Sequence, residues 1–177
     1  MESEHVSIGN IQENFDRAED ILETYLFKIG VEGKNKLRFT LLAEEALRLV
    51  RAIVANETGI EMWFEGDNKI SHIFLQVQGD FDANKKEEFV SVSSSGENNI
   101  KPTFFDELRG IFVKPQKATW SLAEYTKELN EKKERDIYAQ ESWENLERSV
   151  IANFAKDIVV SVKDQVVLMD IIKDFSD

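Results

Sequence analysis

Glu44, Glu45, Arg48 and Arg51 crowd one apolar-rich stretch, with carboxylates and guanidinium groups about a helical turn apart. Such groups either pair with each other or face a ligand. At i and i+4, Glu44 and Arg48 form a surface pair worth roughly 0.2–0.5 kcal/mol. Turned toward a ligand, the acid offers an oxygen and Arg48, with Arg51 on the same stripe, a site for an anion. Asp80 and Asp82 make a second pair, suited to acid–base work or to capping a turn. His5 and His72 are the only histidines, so a three-histidine metal site is excluded; His72 reads as a sheet-face residue. With no cysteine, thiolate nucleophiles, thiolate metal sites and disulfides are excluded as well.

Phosphate cradles need glycines that let backbone amides approach the anion. The eight glycines stand at 9, 30, 33, 59, 66, 79, 96 and 110, and only Gly30 and Gly33 are close together. Neither a dinucleotide fingerprint nor a Walker loop can be written on them. A Gly-x-Ser-x-Gly elbow is missing too, so no serine is marked as a nucleophile.

The elements that must position these residues follow from periodicity. Val6, Ser7 and Ile8 alternate as a strand. Phe15, Ala18, Leu22, Tyr25, Leu26 and Ile29 have helical spacing, with Asn10 and Glu13 as a cap and Gly30 at the C-terminus. A second, more buried helix spans about 35–56. Ile60, Met62 and Phe64 alternate with Glu61, Trp63 and Glu65, a turn follows at 66–68, and Ile73, Leu75 and Val77 continue the alternation, which predicts a β-hairpin.

Residues 82–91 read as a charged helix, 93–99 as a Ser-rich loop, and Pro102 opens a short helix to about 112. Ser121 with Glu124 is a capping box opening a further helix. The charged run 130–136 reads as a solvated helix or a joint. Trp143, Leu146, Val150 and Phe154 predict one core-facing helix, and residues 158–172 a closing hairpin around Asp164 and Gln165. No internal repeat stands out.

Trp63, His72 and Phe74 alternate away from the side of the first hairpin that faces the helices, so that face needs cover. Phe104, Phe105, Phe112, Trp120, Tyr125 and Tyr138 exceed what the short helices of 102–138 bury. Intramolecular cover of the Trp63/Phe74 face by this insert is the leading expectation; a homodimer or partner interface there is the alternative. A small-molecule pocket between sheet and helices is a third possibility.

The 177 residues, 42% hydrophobic with twelve Phe, suffice for one core and exclude wholesale disorder. A net charge of −12 repels phosphate backbones and anionic lipid, which sets nucleic acid and membranes aside as partners. No apolar run is long enough to span a bilayer, and the acidic start does not read as a signal peptide. A soluble cytoplasmic protein is expected.

The string Leu41-Leu42-Ala43-Glu44-Glu45-Ala46-Leu47 on a buried helix, after a strand and a helix and before a hairpin, resembles anti-sigma-factor serine-protein kinases. More broadly it is similar to the ATPase domain of histidine kinases and gyrases, the Bergerat fold, and to uncharacterised bacterial proteins of that fold. The resemblance implies an N-box glutamate with a metal-binding asparagine one turn on, an adenine-binding Asp-x-Gly-x-Gly after the hairpin, and an ATP lid at the Ser93–Gly96 loop. It marks Glu45, Arg48 and Asp80 as nucleotide-side candidates. The asparagine position holds Leu49, or Arg48 if Glu44 is the glutamate, and no glycines follow Asp80 in that pattern. Leucine offers no oxygen to Mg²⁺.

The expected fold is therefore α/β (α+β): a two-layer sandwich whose mixed, mostly antiparallel sheet of about five strands carries helices on one face. One domain spans 1–177, with a helical insert at about 82–138. The expected function is that of a degenerate ATPase-like, non-catalytic regulatory or protein-interaction module without cofactor. The alternative is an anti-sigma-type kinase that binds Mg-ATP through unorthodox ligands.

Overall fold

The structure, a computed structural model, describes residues 1–9, 12–54, 59–78, 108, 110–111, 119–164 and 166–176. In chain order the elements are β1 (Val6–Ile8), α1 (Gln12–Ile29), α2 (Gly33–Ile53), β2 (Ile60–Gly66), β3 (Ile70–Gln78), β4 (Thr119–Ser121), α3 (Leu122–Lys132), α4 (Ile137–Arg148), α5 (Val150–Phe154), β5 (Asp157–Lys163) and β6 (Val166–Asp174). The fold is α+β, with the described helices on one face of a single sheet. Six strands form that sheet rather than five, in the order β1-β2-β3-β6-β5-β4, and every pairing is antiparallel.

The extra strand is β4. It lies in the stretch read as helical insert, yet Trp120 pairs with Val160 of β5 and points into the core. From Thr119 onward the chain belongs to the sheet and helix layer. The predicted helix through Trp143 and Phe154 is two helices. It breaks at Ser149, whose hydroxyl accepts from the Ala152 amide at 3.3 Å and caps α5. The charged run holds the end of α3 and the N-cap of α4, Asp136, which accepts from the Tyr138 amide at 2.9 Å. The Ser121 cap of α3 is present, accepting from the Glu124 amide at 3.2 Å. The expected cap at Asn10 and Glu13 lies outside the described residues.

Strand alternation puts Ile60, Met62, Phe64, Ile73, Leu75, Val77, Ile158, Val160, Val167, Met169 and Ile171 against the helices, all buried. Tyr25 of α1 packs its ring 5.6 Å from Phe64 and 6.3 Å from Phe39 of α2. Its hydroxyl meets the fully buried Ser71 at 2.8 Å, and Ser71 donates on to the Asp67 carbonyl. Each polar group in this part of the core is thereby satisfied. Burial, the larger effect, raises the Tyr25 pKa.

Gly66 ends β2 at φ +134, and a Cβ there would lie 2.3 Å from the Ile70 carbonyl oxygen. Only glycine fits this turn. Asp67 closes it by accepting from the Lys69 and Ile70 amides at 2.8 and 3.0 Å.

A repeat not visible in the sequence emerges from the topology. Residues 6–78 run strand, helices, hairpin; residues 119–174 run strand, helices, hairpin. The sheet order is symmetric about the β3–β6 junction, where two nine-residue strands pair antiparallel along their full length. The two described halves thus share one strand–helices–hairpin order, mirrored about the sheet centre.

Candidate functional site

The same alternation that fills the core leaves Trp63, His72 and Phe74 on the outer face of the sheet, each half-buried. Trp63 stands opposite Phe74 in register, Glu65 opposite His72 and Glu61 opposite Gln76. On the next strand Asp170 lies opposite Phe74, between Leu168 and Ile172.

Four rings join into one ladder on this face. Trp63 and Phe74 stack at 4.9 Å with 17° between planes, and His72 lies 5.6 Å from Phe74 at 8°. His5 completes it, 4.4 Å from Trp63 at 8°. His5 arrives there because the chain before β1 continues the pairing with β2: the Ser3 amide donates to the Phe64 carbonyl at 2.8 Å and the Gly66 amide to the Met1 carbonyl at 2.8 Å.

Carboxylates hold both ends of the ladder. His72 Nδ1 lies 2.8 Å from Asp170 Oδ1, a contact diagonal across β3 and β6. His5 Nδ1 lies 2.9 Å from Glu61 and its Nε2 3.1 Å from Glu2. Desolvation opposes charge on His5, but the hydrogen bonds and charges of Glu61 and Glu2 together outweigh it and raise its pKa. Asp170 is also raised, first by burial and further by Asp157 and Glu65, against the lowering effect of His72.

The residues singled out on α2 do not converge on a site. Arg48 Nη1 donates to Glu45, one turn away on an exposed surface, rather than to Glu44. Leu49 is buried in the core. Arg51 does not belong to a solvated face: it is half-buried and donates to the Ile8 and Gly9 carbonyls at the end of β1. Its surroundings lower its pKa through burial. Asp80, Asp82 and the 93–99 loop lie outside the described residues.

Of the aromatic residues expected to cover the outer face, Trp120 and Tyr125 are buried instead in the core, 5.9 Å apart, and Tyr138 is exposed. Phe104, Phe105 and Phe112 lie outside the described residues. Between the sheet and the described helices, side chains such as Tyr25, Phe39 and Phe64 are buried together; most of the insert on which the third possibility, a small-molecule pocket, depends lies outside the described residues.

A cleft of about 330 Å³ opens between the first residues and α1, lined by Glu2, Glu4, Asp20, Thr24, Tyr25 and Lys28 among others. Among the described residues no cluster of three or more His, Asp or Glu could hold a metal ion, and no helix is long and apolar enough to cross a membrane.

No family model matches the chain, and no curated protein or solved structure matches it.

His5 and Asp170 belong to this outer-face cluster, and sequence reasoning missed both. His5 belongs to the segment before the first recognisable strand, and Asp170 stands 98 residues from His72, so only the strand register brings the pair together.

Proposed function

We propose that this chain is a non-catalytic protein-interaction or regulatory module whose docking surface is the outer sheet face. The observation that carries this reading is the ladder His5–Trp63–Phe74–His72, four near-parallel rings partly open to solvent on the side of the sheet away from α1 and α2. Aromatic residues held in fixed rotamers contribute contact area at little entropic cost, which is why they dominate binding surfaces. Both histidines of this face are held by carboxylates, His5 by Glu61 and Glu2 and His72 by Asp170, as suits a docking surface better than a reaction centre. Among the described residues nothing favours the kinase alternative: Glu45 pairs with Arg48 and Leu49 lies in the core.

Urea unfolding of Trp63→Ala, Phe74→Ala and Phe64→Ala tests the reading. Phe64, fully buried, should cost about 3–5 kcal/mol. Trp63→Ala and Phe74→Ala should each cost under about 1.5 kcal/mol, the scale of an exposed stacking contact. A Trp63→Ala cost matching that of Phe64→Ala would show the ladder to be core and end the docking reading.

A further inference from the structure

The charge on the outer face, taken with the docking reading on which this inference rests, identifies the partner's chemistry. Glu61, Glu65, Asp157 and Asp170 all occupy outward strand positions. Among the described strands, Lys163, at the far corner, is the one outward lysine or arginine. A second copy of the chain would bring the same carboxylates to the contact and, at a net charge of −12, would be repelled, as would a phosphate or an anionic lipid.

Geometry adds to charge. Glu61, Trp63 and Glu65 alternate along β2, so acid, ring and acid repeat at the two-residue spacing of an extended chain, roughly 6.5–7 Å. The ring ladder forms an apolar wall along which the methylene stem of a basic side chain can lie while its head reaches a carboxylate. A planar guanidinium matches a carboxylate with two parallel hydrogen bonds, which an ammonium cannot do.

We propose that the outer face binds an extended basic protein segment carrying arginine at alternate positions. Its stems lie on Trp63 and Phe74, and its guanidinium groups reach Glu61, Glu65 and Asp170.

Fluorescence anisotropy of a labelled Arg-Thr repeat peptide provides the test, with Lys-Thr and Glu-Thr repeats for comparison. The Arg-Thr peptide should bind saturably, Lys-Thr more weakly and Glu-Thr not at all. Glu61→Gln/Glu65→Gln should weaken Arg-Thr binding about 2- to 30-fold, as expected for two exposed charge pairs. Glu128→Gln/Glu131→Gln, an equal charge change on α3, should weaken it less than about twofold. Equal effects of the two double variants would overturn the proposal in favour of diffuse attraction. No saturable binding, with Trp63→Ala still stable, would discard the basic partner and keep the docking face; a Trp63→Ala as costly as Phe64→Ala would discard the face itself.

Discussion

Trp63 of β2 faces Phe74 of β3 directly across the strand pair, and their rings stack 4.9 Å apart on the side of the sheet away from α1 and α2. The next inward neighbour of Trp63, Phe64, is buried among Tyr25 and Phe39. Consecutive residues of one strand thus serve the two faces differently. A double-mutant cycle over Trp63→Ala and Phe74→Ala should return a coupling of about 0.5–1.5 kcal/mol. A coupling indistinguishable from zero would mean that the rings do not meet in solution.

Arg51 is a strut for β1. Arg51→Met keeps the apolar stem but removes the donors from the Ile8 and Gly9 carbonyls, and should cost about 1.5–3 kcal/mol. Hydrogen exchange should accelerate at the amides that pair β1 with β2. Unchanged exchange there, with ordinary stability, would contradict the strut.

His5 ties pH to stability. Its folded pKa lies above its unfolded value, so protonation favours the folded state. The contribution is fully present below pH about 6.5 and is lost as pH rises through the raised folded value. Because the pair is largely solvated, its size should stay under about 1 kcal/mol. Stability measured from pH 5 to 8 should show this decline in the wild type and a shallower one in Glu61→Gln; identical slopes would contradict the assignment.

Nucleotide should leave stability unchanged. A site with a dissociation constant one hundredth of the Mg-ATP concentration would add about 2.7 kcal/mol and raise Tm by roughly 5–11 °C. The pairing of Glu45 with Arg48 predicts no such shift, and Arg48→Ala should move stability by less than about 0.5 kcal/mol. A Tm rise of that size, abolished by Glu45→Ala, would restore the nucleotide reading.

The two hairpins were legible because inward residues alternate without interruption at Ile60, Met62 and Phe64 and again at Ile73, Leu75 and Val77. Strand β4 was not: three residues are too few to show a period, and Trp120 with Tyr125 read as surplus aromatics although they are core. The break at Ser149 was hidden because Leu146 and Ile151 keep an apolar stripe running across it. On the outer face, Trp63, His72 and Phe74 could be placed from alternation alone. Their partners could not, since Asp170 and His5 are joined to them by sheet register, which local pattern does not encode.

The most direct test of the binding face follows the indole N–H signals of Trp63, Trp120 and Trp143 by NMR during titration with the Arg-Thr peptide. The Trp63 signal should move progressively to saturation, while that of Trp120, buried on the core side of β4, stays in place. A stationary Trp63 signal in the presence of saturating peptide, or a larger shift at Trp143, would contradict the outer sheet face as the site of recognition.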